Sequence, residues 1–194
     1  MNLQDKISQH FADSIKTQQD SVQGLSELIS YASQRIVFAL LNDKKILACG
    51  NGRSATAVQL LSSAMLNQYE RERPALPVMA LTTDQATLTA IASDYHFDEV
   101  YAKQVRALGQ SGDILVVISD GYHCANLVKV INAAHDKDIS VLALTGNKGD
   151  MISPLLSETD IEICVPSQSA IHIHEVHVLI VHCLCHLIDQ QLFG

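Results

Sequence analysis

Five short apolar runs, each bounded by polar or turn residues, constrain this chain more than any other feature of it. They are Ile46-Leu47-Ala48-Cys49, Val78-Met79-Ala80-Leu81, Ile114-Leu115-Val116-Val117-Ile118, Val141-Leu142-Ala143-Leu144 and Ile161-Glu162-Ile163-Cys164-Val165. A run that stays apolar at successive positions suits a strand covered on both faces. All but the last are followed by polar residues and an amphipathic segment. Alternating strands and helices require right-handed crossovers and a parallel sheet with helices on each side. The order predicts an α/β fold, a three-layer sandwich around a five-stranded parallel sheet.

Upstream of the first run, residues 4–20 and 22–42 carry apolar positions at helical spacing. Ile7, Phe11 and Ile15 mark the first segment, and Leu25, Leu28, Ile29, Ala32, Ile36 and Leu40 the second. They predict an N-terminal helical arm over residues 1–42, ahead of an α/β core over 43–194. A length of 194 residues favours a single domain. In residues 169–192, Ile173, Val176, Ile180, Cys183, Leu184, Leu187 and Ile188 form a broad stripe. It predicts a long C-terminal helix between the sheet and a neighbouring subunit. Glu70-Arg71-Glu72-Arg73-Pro74 reads as a solvated connector, with a subunit contact as the sharper alternative. Leu192-Phe193 reads as a cap on an assembled core, or as a contact surface if it is exposed.

Composition narrows the function classes. Apolar residues at 47% exclude a mainly disordered chain. A net charge of −8 with no local basic patch argues against direct nucleic-acid binding. The N-terminus lacks the basic stretch and apolar core of a secretory leader. Unbroken apolar runs fall far short of the ~20 residues that span a bilayer, so no membrane role and a cytoplasmic location are expected. The five cysteines, Cys49, Cys124, Cys164, Cys183 and Cys185, are odd in number and form no CxxC pair. They read as free, mostly buried thiols.

In open parallel sheets, ligands bind beyond the carboxyl ends of the strands. Cys49-Gly50-Asn51-Gly52-Arg53-Ser54-Ala55 leads from strand to helix there, and its glycines allow a tight turn in front of the helix amides. It lacks both nucleotide-binding glycine spacings, so a plain turn and a phosphate cradle stay open. The loop Ser119-Asp120-Gly121-Tyr122-His123-Cys124 sets a carboxylate where an anionic ligand would meet the next helix. Arg53 is available either to neutralise Asp120 or to grip a phosphate itself. Five histidines, His172, His174, His177, His182 and His186, crowd the last helix. His174 and His182 are ~12 Å apart along the axis, too far for an easy shared metal ion. Ordinary helix histidines are expected, with one a proton donor or acceptor as the alternative.

Further segments resemble those of one family along almost the whole chain. They are Cys-Gly-Asn-Gly-x-Ser at 49–54, Glu-Arg-Pro-x-Leu-Pro at 72–77, Leu81-Thr82-Thr83-Asp84, and residues 99–109. Ala143-Leu144-Thr145-Gly146, Glu175-Val176-His177 and His182-Cys183-Leu184-Cys185 complete the set. Together they resemble the sugar isomerase (SIS) domain proteins of the phosphoheptose isomerase group, which includes the DnaA initiator-associating protein.

The resemblance implies a homotetramer with active sites between subunits and a sugar phosphate ligand. It implies interconversion of sedoheptulose 7-phosphate and mannoheptose 7-phosphate through an enediol, with a glutamate and a histidine as base and acid. Several members hold zinc there through two histidines, the glutamate and a glutamine. Carried over by position, the resemblance marks His182 as catalytic and Asn51, Ser54, Asp94, Ser119 and His174 as substrate-binding. The chain departs from the pattern elsewhere. Leu60 and Ala64 stand at the family's ligand histidine and catalytic glutamate, so no metal ligand is assigned and zinc remains only a family implication. Arg53 replaces a glycine, the family's Arg-x-Gln-Glu becomes His172-Ile173-His174-Glu175, and the family's Ser-Thr-Ser-Gly-Asn-Ser becomes the loop at 119–124. The expected function is therefore a DnaA-associating regulator with lost or weak catalysis. The alternative is an active isomerase serving lipopolysaccharide heptose synthesis, with His174 or His123 replacing the base.

Overall fold

The computed structural model describes residues 2–121, 124–147 and 151–194. Tyr122 and His123 of the second loop lie outside them, and with them the alternative base His123. The helices α1 (Leu3–Leu41), α2 (Arg53–Leu66), α3 (Gln85–Asp94), α4 (Ala102–Leu108), α5 (Ala125–His135) and α6 (Ala170–Phe193) enclose the strands β1 (Ile46–Gly50), β2 (Val78–Ala80), β3 (Ile114–Ile118), β4 (Ser140–Gly146) and β5 (Ile161–Val165). All strand pairs are parallel, in the order β2-β1-β3-β4-β5.

The apolar runs are explained by position in the sheet. The central strands β1 and β3 are buried at every residue, whereas the edge strand β5 alternates between buried and half-buried positions. Alternate side chains go to opposite faces. Ile46, Ala48, Ile114, Val116 and Ile118 pack under α1, α2 and α6. Leu47, Cys49, Leu115 and Val117 pack under α4 and α5. This is the predicted three-layer sandwich.

Two expectations change. The arm is one continuous helix, not two, because nothing between residues 20 and 22 breaks it: Ser21 is buried and its hydroxyl donates to the Thr17 carbonyl. Asn2 and Asp5 close its N-terminus with a reciprocal capping box. Glu70-Arg71-Glu72-Arg73 is not simply a solvated connector, since the Arg73 side chain is 1% exposed and ion-paired to Asp189 of α6. On α6, Ile173, Val176, Ile180, Leu184 and Ile188 are buried against α1, α2 and the sheet, and Cys183 and Leu187 are half-buried. By length and composition α6 could cross a bilayer, although it contains no unbroken apolar run of that length. Its inner face is instead part of the α/β core, and Leu192 and Phe193 are half-buried against the same core. All five cysteines are among the described residues and none is in a disulfide; Cys49 and Cys185 are buried.

His177 is the core histidine of α6. Fully buried, its Nε2–H donates to the Thr145 carbonyl at 2.9 Å, and burial pushes its pKa down to about 4. The unfolded chain, with an ordinary imidazole near 6.5, therefore binds more protons between those values. The contribution is complete above about pH 6.5 and is lost as pH falls through about 4, amounting to about 3 kcal/mol. His177→Gln is expected to flatten this part of the stability profile, as read by urea unfolding at several pH values across the window.

Candidate functional site

The site follows from the ends of β1 and β3. Gly50 pairs with Ile118, and a Cβ on Gly50 would sit 2.9 Å from the Ile118 carbonyl oxygen and 3.0 Å from the Ser54 Cβ. Glycine is required there so that β1 can turn into α2 against its neighbour. The buried Tyr101 hydroxyl donates to the Gly50 carbonyl at 2.8 Å. Asn51 exchanges two amide hydrogen bonds, at 2.9 and 2.8 Å, with the buried Asn126 of α5. Asn51 therefore ties the two loops together, and its amide group is already engaged. Gly52 caps α2 with φ +53°, in the left-handed region that glycine tolerates, and no side chain caps the helix.

Within this frame the structure gathers Arg53, Ser54, Ser119, Asp120 and His174. Ser54 is 1% exposed and its Oγ has no hydrogen-bond partner. Ser119 is buried, and its Oγ accepts the Gly121 amide at 3.4 Å. Arg53 Nε lies 3.3 Å from the Asp120 carboxylate, so the neutralising pair read as an option in the sequence is formed. Arg53 Nη1 is nevertheless buried without a partner, as is His174 Nδ1. Burial is the main cause of a lowered His174 pKa, and the Arg53 charge adds to it against the opposing pull of Asp120 and Glu175. His174 is thus a neutral imidazole at neutral pH, with one nitrogen unsatisfied.

Glu175 was not singled out by sequence reasoning. The Ser14 hydroxyl of α1 donates to its Oε2 at 2.6 Å, and His10 lies 3.7 Å from its other oxygen. The His10 and His172 rings are 5.2 Å apart.

The other predicted residues lie apart from this cluster. His182 is about two turns further along α6, where Nδ1 is 3.1 Å from the Tyr69 hydroxyl. Beside it a cavity of about 330 Å³ is lined by Tyr69, Glu70, Arg71, His186, Asp189, Gln190 and Gly194. Asp94 sits exposed in the last turn of α3. Zinc does not fit this chain as it fits the pattern in the sequence resemblance. Leu60 and Ala64 pack with the apolar core and offer no donor atom, and among the described residues no three His, Cys, Asp or Glu side chains converge.

Comparison with known proteins agrees with this geometry. The SIS domain family matches residues 9–146. Phosphoheptose isomerase of Methylococcus capsulatus is 51% identical over 194 residues, covering the whole of both chains. That of Chromohalobacter salexigens is 53% identical over 194 residues, covering all of this chain and 98% of its own. The solved phosphoheptose isomerase from Francisella tularensis superposes with a TM-score of 0.95 at 43% identity, covering 98% of this chain and all of that one. The structure from Neisseria gonorrhoeae gives 0.92 at 42% identity, covering 97% of this chain and all of its own. This chain belongs to the SIS-domain family, within its phosphoheptose isomerase group.

Proposed function

We propose that the chain is a phosphoheptose isomerase, converting sedoheptulose 7-phosphate to mannoheptose 7-phosphate with imidazole groups in place of the missing glutamate. A base removes a proton from C1 of the ketose while the C2 carbonyl oxygen takes one up, giving an enediol. Returning a proton to C2 while the C1 hydroxyl gives up its own leaves the aldose. His174, neutral and half-buried, suits the base, and His182 the acid. Ser54, Ser119 and Arg53 suit the anionic end of the substrate. The observation that carries this reading is the full-length likeness, at 51% and 53% identity, to relatives bearing that name.

Incubation with sedoheptulose 7-phosphate, with product followed by chromatography, tests it. Turnover is expected, and its absence at high enzyme concentration rejects the reading. The lowered His174 pKa fixes a sign. A base must be neutral, so the acid limb of kcat/KM should fall below the ordinary imidazole value of about 6.5.

One observation favours a second reading. Leu60 and Ala64 are aliphatic, and Ala64 is only 8% exposed, at the positions where the resemblance puts a ligand histidine and the catalytic glutamate. On that reading the chain has lost efficient turnover and acts by binding the replication initiator DnaA. Capture of DnaA without sugar-phosphate turnover would support it. Either role fits a cytoplasmic homotetramer. Leu3, Ile7, Phe11 and Ile15 form an exposed apolar stripe at four-residue spacing on the arm, which further copies of the chain would cover.

A further inference from the structure

The cradle at the end of β1 has the parts of an anion site, and it already faces an anion. Ser54 is 1% exposed with an unpartnered hydroxyl, Arg53 Nη1 is buried without a partner, and the N-terminus of the 14-residue α2 carries no side-chain cap. Buried polar atoms of this kind are costly unless a partner arrives. The Ser54 hydroxyl and Arg53 Nη1 favour negative charge, and the positive end of α2 adds to it, although the Ser54 and Ala55 amides already donate to the Asn51 and Gly52 carbonyls. The group standing nearest is the Asp120 carboxylate, whose side chain is 11% exposed and which lies 3.3 Å from Arg53 Nε.

We propose that Asp120 is a built-in competitor for Arg53, so that a phosphate group enters this cradle by displacing the carboxylate from the guanidinium. The inference rests on the sugar-phosphate reading of the same site and adds to it the residue that sets ligand affinity. Arg53 already spends its Nε on Asp120 and keeps Nη1 free, so it can pass from one anion to another by a small change in side-chain angle. A phosphate dianion that arrives with Asp120 still charged meets like charge at short range, which lowers its affinity. A neutral residue at position 120 removes that penalty and leaves the guanidinium unclaimed. His174 is within electrostatic reach of both Arg53 and Asp120, so exchange of the partner anion is also felt at the proposed base.

Isothermal titration calorimetry with inorganic phosphate and with sedoheptulose 7-phosphate tests the proposal on the full chain. The proteins compared are the wild type, Asp120→Asn, Arg53→Gln and the double variant, with Asp120→Ser replacing Asp120→Asn if thermal unfolding shows the latter to be misfolded. Asp120→Asn should bind both probes about tenfold or more tightly than the wild type. The double variant should lose that gain, because the guanidinium that exploits it is gone. Equal affinity in the wild type and Asp120→Asn overturns the proposal, as does a gain that persists in the double variant. Failure of all four proteins to bind either probe overturns it too. Turnover of sedoheptulose 7-phosphate by the wild type is measured alongside. A tight-binding Asp120→Asn with no turnover keeps the proposal and removes the isomerase reading. Normal wild-type turnover with no gain in Asp120→Asn does the reverse.

Discussion

Arg73→Ala is expected to lower the unfolding free energy by about 3–5 kcal/mol, the range for removing one partner of a buried ion pair. For a chain of this size that corresponds to a fall in Tm of roughly 6–20 °C. The Arg73 side chain is 1% exposed and Asp189 7%, with Nε donating to Oδ1 at 2.9 Å. The guanidinium also donates to the carbonyls of Ala64 at 2.8 Å and Met65 at 2.6 Å, in the last turn of α2. It thus satisfies helix-end acceptors that lie away from water as well as one carboxylate. Truncation leaves Asp189 charged and buried, with its Oδ2 already lacking a partner. Replacing both partners, as Arg73→Met with Asp189→Leu, should restore much of the loss, because no buried charge is then stranded. Arg71→Ala should cost little, since Arg71 is exposed where it holds the Asp189 and Gly194 carbonyls. Chemical denaturation of the wild type and these three variants checks this. A loss below about 1 kcal/mol for Arg73→Ala would mean that the pair behaves as an exposed one.

The same clasp shows why the sequence could be read in one place and not in another. The strands were legible because each is short, apolar and followed by a helix, and full burial of β1 and β3 follows from their central positions. Glu70-Arg71-Glu72-Arg73 was not, because alternating charges look the same whether they are solvated or folded over a helix end. Only the tertiary path brings Arg73 to Asp189, far along the chain. Asn51 gives a similar lesson. The resemblance marks it as substrate-binding; the structure adds that its amide is held by Asn126, a pairing between distant segments that no local pattern encodes. Ser54 and His174 were legible from the resemblance, and both meet in the cradle with an unpartnered buried atom. Glu175 was passed over because its partners, Ser14 and His10, lie on an arm whose docking angle depends on how α1 packs against α6.

His182→Ala is expected to reduce kcat for sedoheptulose 7-phosphate by about 10²–10⁴-fold, the usual worth of one general acid or base. The argument begins with Tyr69. Burial and nearby acidic groups raise its pKa, so the phenol keeps its proton, and its hydroxyl is 3.1 Å from His182 Nδ1. In the tautomer where the phenol donates to Nδ1, the ring proton sits on Nε2, the arrangement a proton donor needs. Tyr69→Phe should therefore change kcat far less than His182→Ala while shifting the pH profile, because it removes the bias between tautomers without removing the imidazole. His182→Gln keeps a donor but cannot cycle a proton, and should be nearly as slow as alanine. Steady-state kinetics across pH, with circular dichroism to confirm folding, separates these outcomes. A His182→Ala protein that retains wild-type kcat would take the proton-transfer role away from this end of α6. Among the described residues, His174, beside Arg53 and Asp120, would then be the imidazole best placed to carry it.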